Sequence, residues 1–263
     1  MDIDRPTDAA ATENKKPFPG LLVSFLWIIL FFVLQITASI IAVASTILAS
    51  GQANELIKNP ELMAQDMSLI ALPTIWSLVV SNLITLGLLM IYLVQKKRLD
   101  IIRFNNWSDL SFSKTTIIGV IVVAVALGFN FVYSTYIIPG VELQAELKML
   151  FDAIPNTAFN MALLFIMVAI LAPILEEFLF RGLLQNALKH RMPVYAAIAV
   201  SAAIFSLAHV NWFSPTLEFY IFPPIFVLGA AFGYLYHITG SLRTCILLHI
   251  INNIAALLFS FNS

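Results

Sequence analysis

Three short clusters in this 263-residue chain combine residue types that do chemistry. The first is Glu176-Glu177-x-x-x-Arg181, inside the run from Leu171 to Gly182. The second is Phe205-x-x-x-His209. The third is His249-x-x-x-Asn253, with Asn252 beside it. Carboxylates and imidazoles exchange protons near neutral pH, and amides donate N–H bonds. In a helix, Glu177 and Arg181 stand four apart with the acid first, the favourable order for an ion pair on one face. Glu176 is rotated by about 100° from Glu177, so Arg181 does not serve both equally. That spacing predicts one carboxylate compensated locally and one left for another partner. Pro173, three residues before Glu176, removes a backbone hydrogen bond and leaves a carbonyl and space beside the acids.

The surroundings of these residues make them costly. The chain is 60% hydrophobic and 11% charged, with mean hydropathy +0.91, where a soluble domain averages about 25% charged residues. A charge at the centre of a bilayer costs about 2.5–3.5 kcal/mol on insertion scales. The composition therefore predicts an all-α, polytopic transmembrane helix bundle of seven to eight spans. Net charge is −1, and no basic surface points to nucleic acid. The single cysteine, Cys245, excludes an intrachain disulfide.

Residues 1–20 form a polar N-terminal tail carrying Asp2, Asp4, Asp8 and Glu13, a poor start for a signal peptide. Ala42-Val43-Ala44 resembles a cleavage site, but the long apolar run reads as a retained first span. Residues 21–263 then form one transmembrane domain. Its spans run Leu21–Ser50, Met67–Gln95, Thr115–Ile138, Thr157–Leu188, Val194–Trp212, Phe219–Ile238 and Leu242–Phe261, with the motif-bearing core at about 157–261. An eighth element fits in the long first run or around Pro223-Pro224. With the N-terminus inside, the inner face carries Arg5, Lys15, Lys16, Lys96, Lys97, Arg98, Arg103, Lys114, Lys189, Arg191 and Arg243, against Lys58 and Lys148 outside. That is the positive-inside pattern of a cytoplasmic N-terminus. Trp27, Trp76, Trp107 and Trp212 are candidate interface anchors.

Each polar residue has a plain structural reading. The Glu–Arg pair locks helices. A histidine within a span bonds a neighbouring helix. Asn252 and Asn253 act as glue, and Gly229 and Gly233 form a small-xxx-small pair for close packing. His190 and His237 lie near the inner boundary. Cys245 shares a face with His249 and reads as a buried, inert thiol rather than a nucleophile. Depth argues for more. At a rise of ~1.5 Å per residue, Glu176 lies about 21 Å, His209 about 24 Å and Asn253 about 18 Å from the inner boundary. A free acid, two histidines and an amide meeting at one depth exceed what helix packing needs.

These motifs, in order on successive helices, resemble the CAAX prenyl protease and bacteriocin-processing (CPBP, or Abi) family of intramembrane endopeptidases. The likeness runs from about Ala158 to Leu258 and takes in the glycine-bearing stretch FVLGAAFGYLYHITGSL. The resemblance implies proteolysis within the membrane. Glu176 and His209 would hold and activate the attacking water, His249 and Asn253 would stabilise the oxyanion, and Glu177, Arg181 and Phe205 would support them. Glu176, His209 and His249 also make three N/O ligands, the number used by a catalytic zinc. No His-Glu-x-x-His occurs, so metal-free chemistry is the expectation, with zinc as the alternative. The implied substrate is a membrane-associated peptide or protein. Two other functions stay open: a noncatalytic scaffold or bacteriocin self-immunity protein of the same family, and a proton-coupled transporter. The compact chain points to a bacterial inner membrane. Oligomeric state is not readable.

Overall fold

A computed structural model describes residues 18–59, 62, 67–102, 110–141, 145–212 and 219–260. Residues 1–17 of the polar tail, Arg103, Trp107 and Phe261 lie outside the described residues. The elements are α1 (Leu21–Ser50), α2 (Ala53–Lys58) and α3 (Ser68–Gln95). Then come α4 (Phe112–Ile137), α5 (Ala145–Ala153) and α6 (Ala158–Lys189). Last are α7 (Val194–Leu207), α8 (Phe219–Thr239) and α9 (Leu242–Ser260). No strand occurs among the described residues, and the chain is an all-α membrane bundle.

Apolar residues surround most of these helices rather than lining one stripe. In α1, the spanning window is only 11% buried within the protein. Ile36, Ile40, Ile41 and Leu48 are exposed on it. In water such a surface would drive association; in a bilayer, lipid covers it. Among the described residues five helices, α1, α3, α4, α6 and α8, are long and apolar enough to cross. Glycines in the left-handed region stop two of them, Gly51 after α1 (φ 74°) and Gly240 after α8 (φ 62°), a conformation that other residues rarely adopt.

Helix α6 runs through the middle and packs against α1, α3, α7 and α9. Its backbone is not uniform. Ile166–Leu171 and Glu177–Gln185 run in the wider π register, with the α-helical turn Ala172–Glu176 between them. Such bulges are frequent at functional sites. The main core lies around the second of these stretches, with Phe178, Leu179, Phe180, Leu183 and Leu184 buried against residues of the other long helices.

One span differs from its expected form. The run Val194–Trp212 was expected to be helical throughout, yet α7 is 14 residues long and ends at Leu207, about 21 Å of helix against a hydrocarbon core of about 30 Å. The remaining expected spans keep their places, with ends shifted by a few residues, though α9, like α7, is among the shorter apolar helices. Among the described residues the additional elements are the short helices α2 and α5 and a 3-10 turn at Leu99–Ile102, all too short to cross.

Candidate active site

The second π stretch of α6 turns Glu177, Arg181 and Gln185 inward. All three are essentially inaccessible. Arg181 Nη1 lies 3.0 Å from Glu177 Oε1. That contact is ionic rather than an aligned hydrogen bond, since neither Arg181 Nη1 nor Glu177 Oε2 has a hydrogen-bond partner of good geometry. Arg181 Nη2 donates to the Gly229 carbonyl at 3.0 Å, and Gln185 Nε2 donates to the Gly233 carbonyl at 2.9 Å. The next residue, Asn186, donates from Nδ2 to the Tyr236 hydroxyl at 2.8 Å. The three bonds fasten α6 to α8. They are reachable because the glycines let α8 come close. A Cβ on Gly229 would stand 3.1 Å from Phe205 Cδ1 and 3.2 Å from Ala202 Cα, and one on Gly233 would stand 2.8 Å from Gln185 Oε1. The guanidinium is also sandwiched, 4.8 Å from the Phe205 ring centre and 5.8 Å from that of Phe232, which adds cation–π attraction in a desolvated setting.

His249 on α9 is buried against this pair. Its Nδ1 lies 2.9 Å from Glu177 Oε1. An ionised carboxylate only accepts, so that nitrogen carries the proton and Nε2 faces the other way. Nε2 lies 3.7 Å from Glu176 Oε2. His209 is held by a different device. Where α7 stops, the His209 N–H bonds the Ser206 carbonyl at 3.0 Å instead of continuing the helix to Phe205. The freed Phe205 carbonyl accepts from the imidazole itself, with Nδ1 at 2.8 Å. A helix end leaves such carbonyls without backbone donors. His209 Nε2 therefore also points away from its anchor, 3.8 Å from Glu176 Oε1, and the Phe205 ring supports it at 4.5 Å between centres.

Two Nε2 atoms and one carboxylate thus face each other. Glu176 is 15% and His209 32% exposed at the side chain, whereas His249 is 3% exposed, so the opening is on the Glu176–His209 side. The gaps exceed a hydrogen bond and are of the size a shared water spans. Asn253 is one turn along α9. Its Nδ2 donates to the Val168 carbonyl at 3.0 Å, and its Oδ1 accepts from Asn252 Nδ2 at 3.3 Å. Cys245 is fully buried, with its thiol donating to the Phe232 carbonyl at 3.7 Å. Among the described residues no group of three His, Cys, Asp or Glu side chains stands at metal-ligand spacing.

The structure therefore brings together Glu176, Glu177, Arg181, Phe205, His209 and His249, and sets Asn253 a turn away. Sequence reasoning missed two contacts. It left His249 without its bond to Glu177, because Arg181 already accounted for that acid. It also passed over Gln185, although a polar residue four beyond Arg181 continues the same face.

Fold and site together define a polytopic helical membrane protein whose spans enclose an acid–imidazole centre. The family model described as type II CAAX prenyl endopeptidase Rce1-like matches residues 158–255, the stretch that bears all three motifs. That stretch is therefore similar to a family of CAAX-type intramembrane proteases, in agreement with the resemblance its motifs carry. Residues before Ala158 lie outside the match. Neither the curated proteins nor the solved structures contain a match to the chain.

Proposed function

We propose that the chain is an endopeptidase that cleaves membrane-associated peptides or proteins with a water activated by Glu176 and His209. The observation that carries this reading is the convergence of Glu176 with the Nε2 atoms of His209 and His249. With Nδ1–H committed to the Phe205 carbonyl, neutral His209 offers a lone pair at Nε2 and orients a water hydrogen. Glu176 takes the proton as the oxygen attacks the peptide carbonyl, and returns it to the departing amine when the C–N bond breaks. The developing oxyanion needs N–H donors. His249 supplies one from Nε2 when both ring nitrogens are protonated, with Glu177 as its counter-ion. Asn253 has a second amide hydrogen beyond the one given to Val168. Glu177 and Arg181 position these groups and take no proton. We propose that no metal takes part.

Purified, reconstituted protein should cleave a membrane-inserted peptide library, and the activity should persist in phenanthroline. Activity lost on chelation and restored by zinc would establish the metal alternative. A folded wild-type protein that cleaves nothing would favour the noncatalytic scaffold.

The arrangement of lysines and arginines further supports a cytoplasmic N-terminus, with α4 entering from the cytoplasm. Lys114 is exposed at the start of α4. A Lys114→Cys probe in a Cys245→Ser background should react with membrane-impermeant maleimide only after cells are opened. Labelling of intact cells would reverse the orientation.

A further inference from the structure

A carbonyl within a regular helix has a backbone donor on one of its two lone pairs, whereas the Val168 carbonyl that accepts from Asn253 is left without one. The reason lies in the ladder of α6. Through Ile166–Leu171 the bonds run from residue i to i−5, and the Ala172 N–H closes the run on the Met167 carbonyl. The next rung in that register would run from residue 173 to Val168. Residue 173 is proline. It has no N–H, and its ring crowds the carbonyl four residues back. The Val168 oxygen is left for a donor from outside the helix, and Asn253 Nδ2 on α9 meets it at 3.0 Å.

We propose that Pro173 is a positioning residue for the reaction: by withholding an N–H it keeps the Val168 carbonyl open as the anchor of Asn253. The inference rests on the peptidase reading of the site. The anchor fixes the orientation of the Asn253 amide and, with it, the height of α9 against α6. His249 sits one turn along the same helix, so its 3.7 Å approach to Glu176 and its bond to Glu177 depend on that height. Asn252, buried beside it, holds the other end of the amide through Oδ1. The proline at the head of the acidic motif thus acts on the opposite helix.

Any residue other than proline at 173 supplies an N–H that competes for Val168. Pro173→Ala and Pro173→Ser are therefore made in parallel, so that one failing to accumulate leaves the other. In the reconstituted full-length protein, kcat should fall by roughly 10-fold to 100-fold, the scale for a misplaced group, with KM nearly unchanged. The unfolding temperature should hold or rise, because the helix regains a bond. Asn253→Ala should lower the unfolding temperature of the wild type and have no such effect in the Pro173→Ala background, the mark of a shared interaction. Wild-type kcat in both proline variants, or an equal Asn253→Ala shift in both backgrounds, overturns the proposal. If the wild-type protein cleaves no peptide, the peptidase reading fails, while the stability cycle still decides whether Pro173 frees the anchor.

Discussion

Glu176→Gln yields a folded protein that does not turn over peptide. Glutamine keeps the shape of the side chain and one acceptor oxygen but removes the charge and the capacity to take a proton. General base catalysis is worth about 10²–10⁴ in rate, and a loss of that order is expected in kcat. Stability should change little. Glu176 is partly open to its surroundings, and the imidazoles of His209 and His249 stand 3.8 and 3.7 Å away, beyond direct hydrogen bonding. No arginine is lost from its partner. Peptide turnover and thermal unfolding in detergent, measured on the same preparation, test both halves. A glutamine variant that retains most of its activity places the base elsewhere.

Arg181→Ala and Glu177→Ala should behave in the opposite way, losing the fold before the chemistry. Both partners are sealed from solvent at side-chain accessibilities of 1% and 0%. Removing one member of a buried pair strands the other and costs roughly 3–5 kcal/mol. For Arg181 the loss includes the bond to Gly229, the stacking on Phe205 and the volume of one of the largest fully buried side chains. For Glu177 it includes the acceptor that fixes the His249 ring. The double variant should be less destabilised than the sum of the singles, since it strands no charge. Thermal unfolding and size-exclusion profiles of the three variants check this. A stable but inactive Glu177→Ala beside an unstable Glu176→Ala would exchange the roles of the two acids.

The membrane bundle was readable because apolar runs of spanning length are a strong signal, and charges punctuate them. Register along the backbone was not. The π turns of α6 differ from α-helix by a single residue of hydrogen-bond offset, which composition does not encode; Pro173 was the one local sign. The early end of α7 was hidden for a similar reason. Phe205 to Val210 stays largely apolar, so hydropathy carries through a point where the backbone turns. Depth set Glu176, His209 and Asn253 at one level, because a rise per residue fixes height whichever way a side chain faces; by the same rise His249 stands only about 12 Å from the inner boundary, so its approach to Glu176 was not readable that way. Which acid meets which imidazole depends on rotation about each helix, which hydropathy does not encode. Gly229 and Gly233 were recognised as a packing pair, but not as the source of the carbonyls that Arg181 and Gln185 use.

The anchoring of His209 complicates any attempt to isolate its chemistry. The ring that turns Nε2 toward Glu176 also closes the end of α7 through Nδ1, at a depth where an unpaired carbonyl is costly. Trp212 Nε1 adds a second bond to the Leu207 carbonyl at 2.9 Å, which also accepts from the Val210 N–H, so side chains reinforce the turn. One imidazole is therefore both reagent and plug. An alanine in its place removes a reactive nitrogen and opens a helix end in the same stroke, and the resulting defect has two sources that a single rate measurement adds together. Asparagine, whose amide can satisfy the same carbonyl while offering no imidazole, is the replacement that separates them.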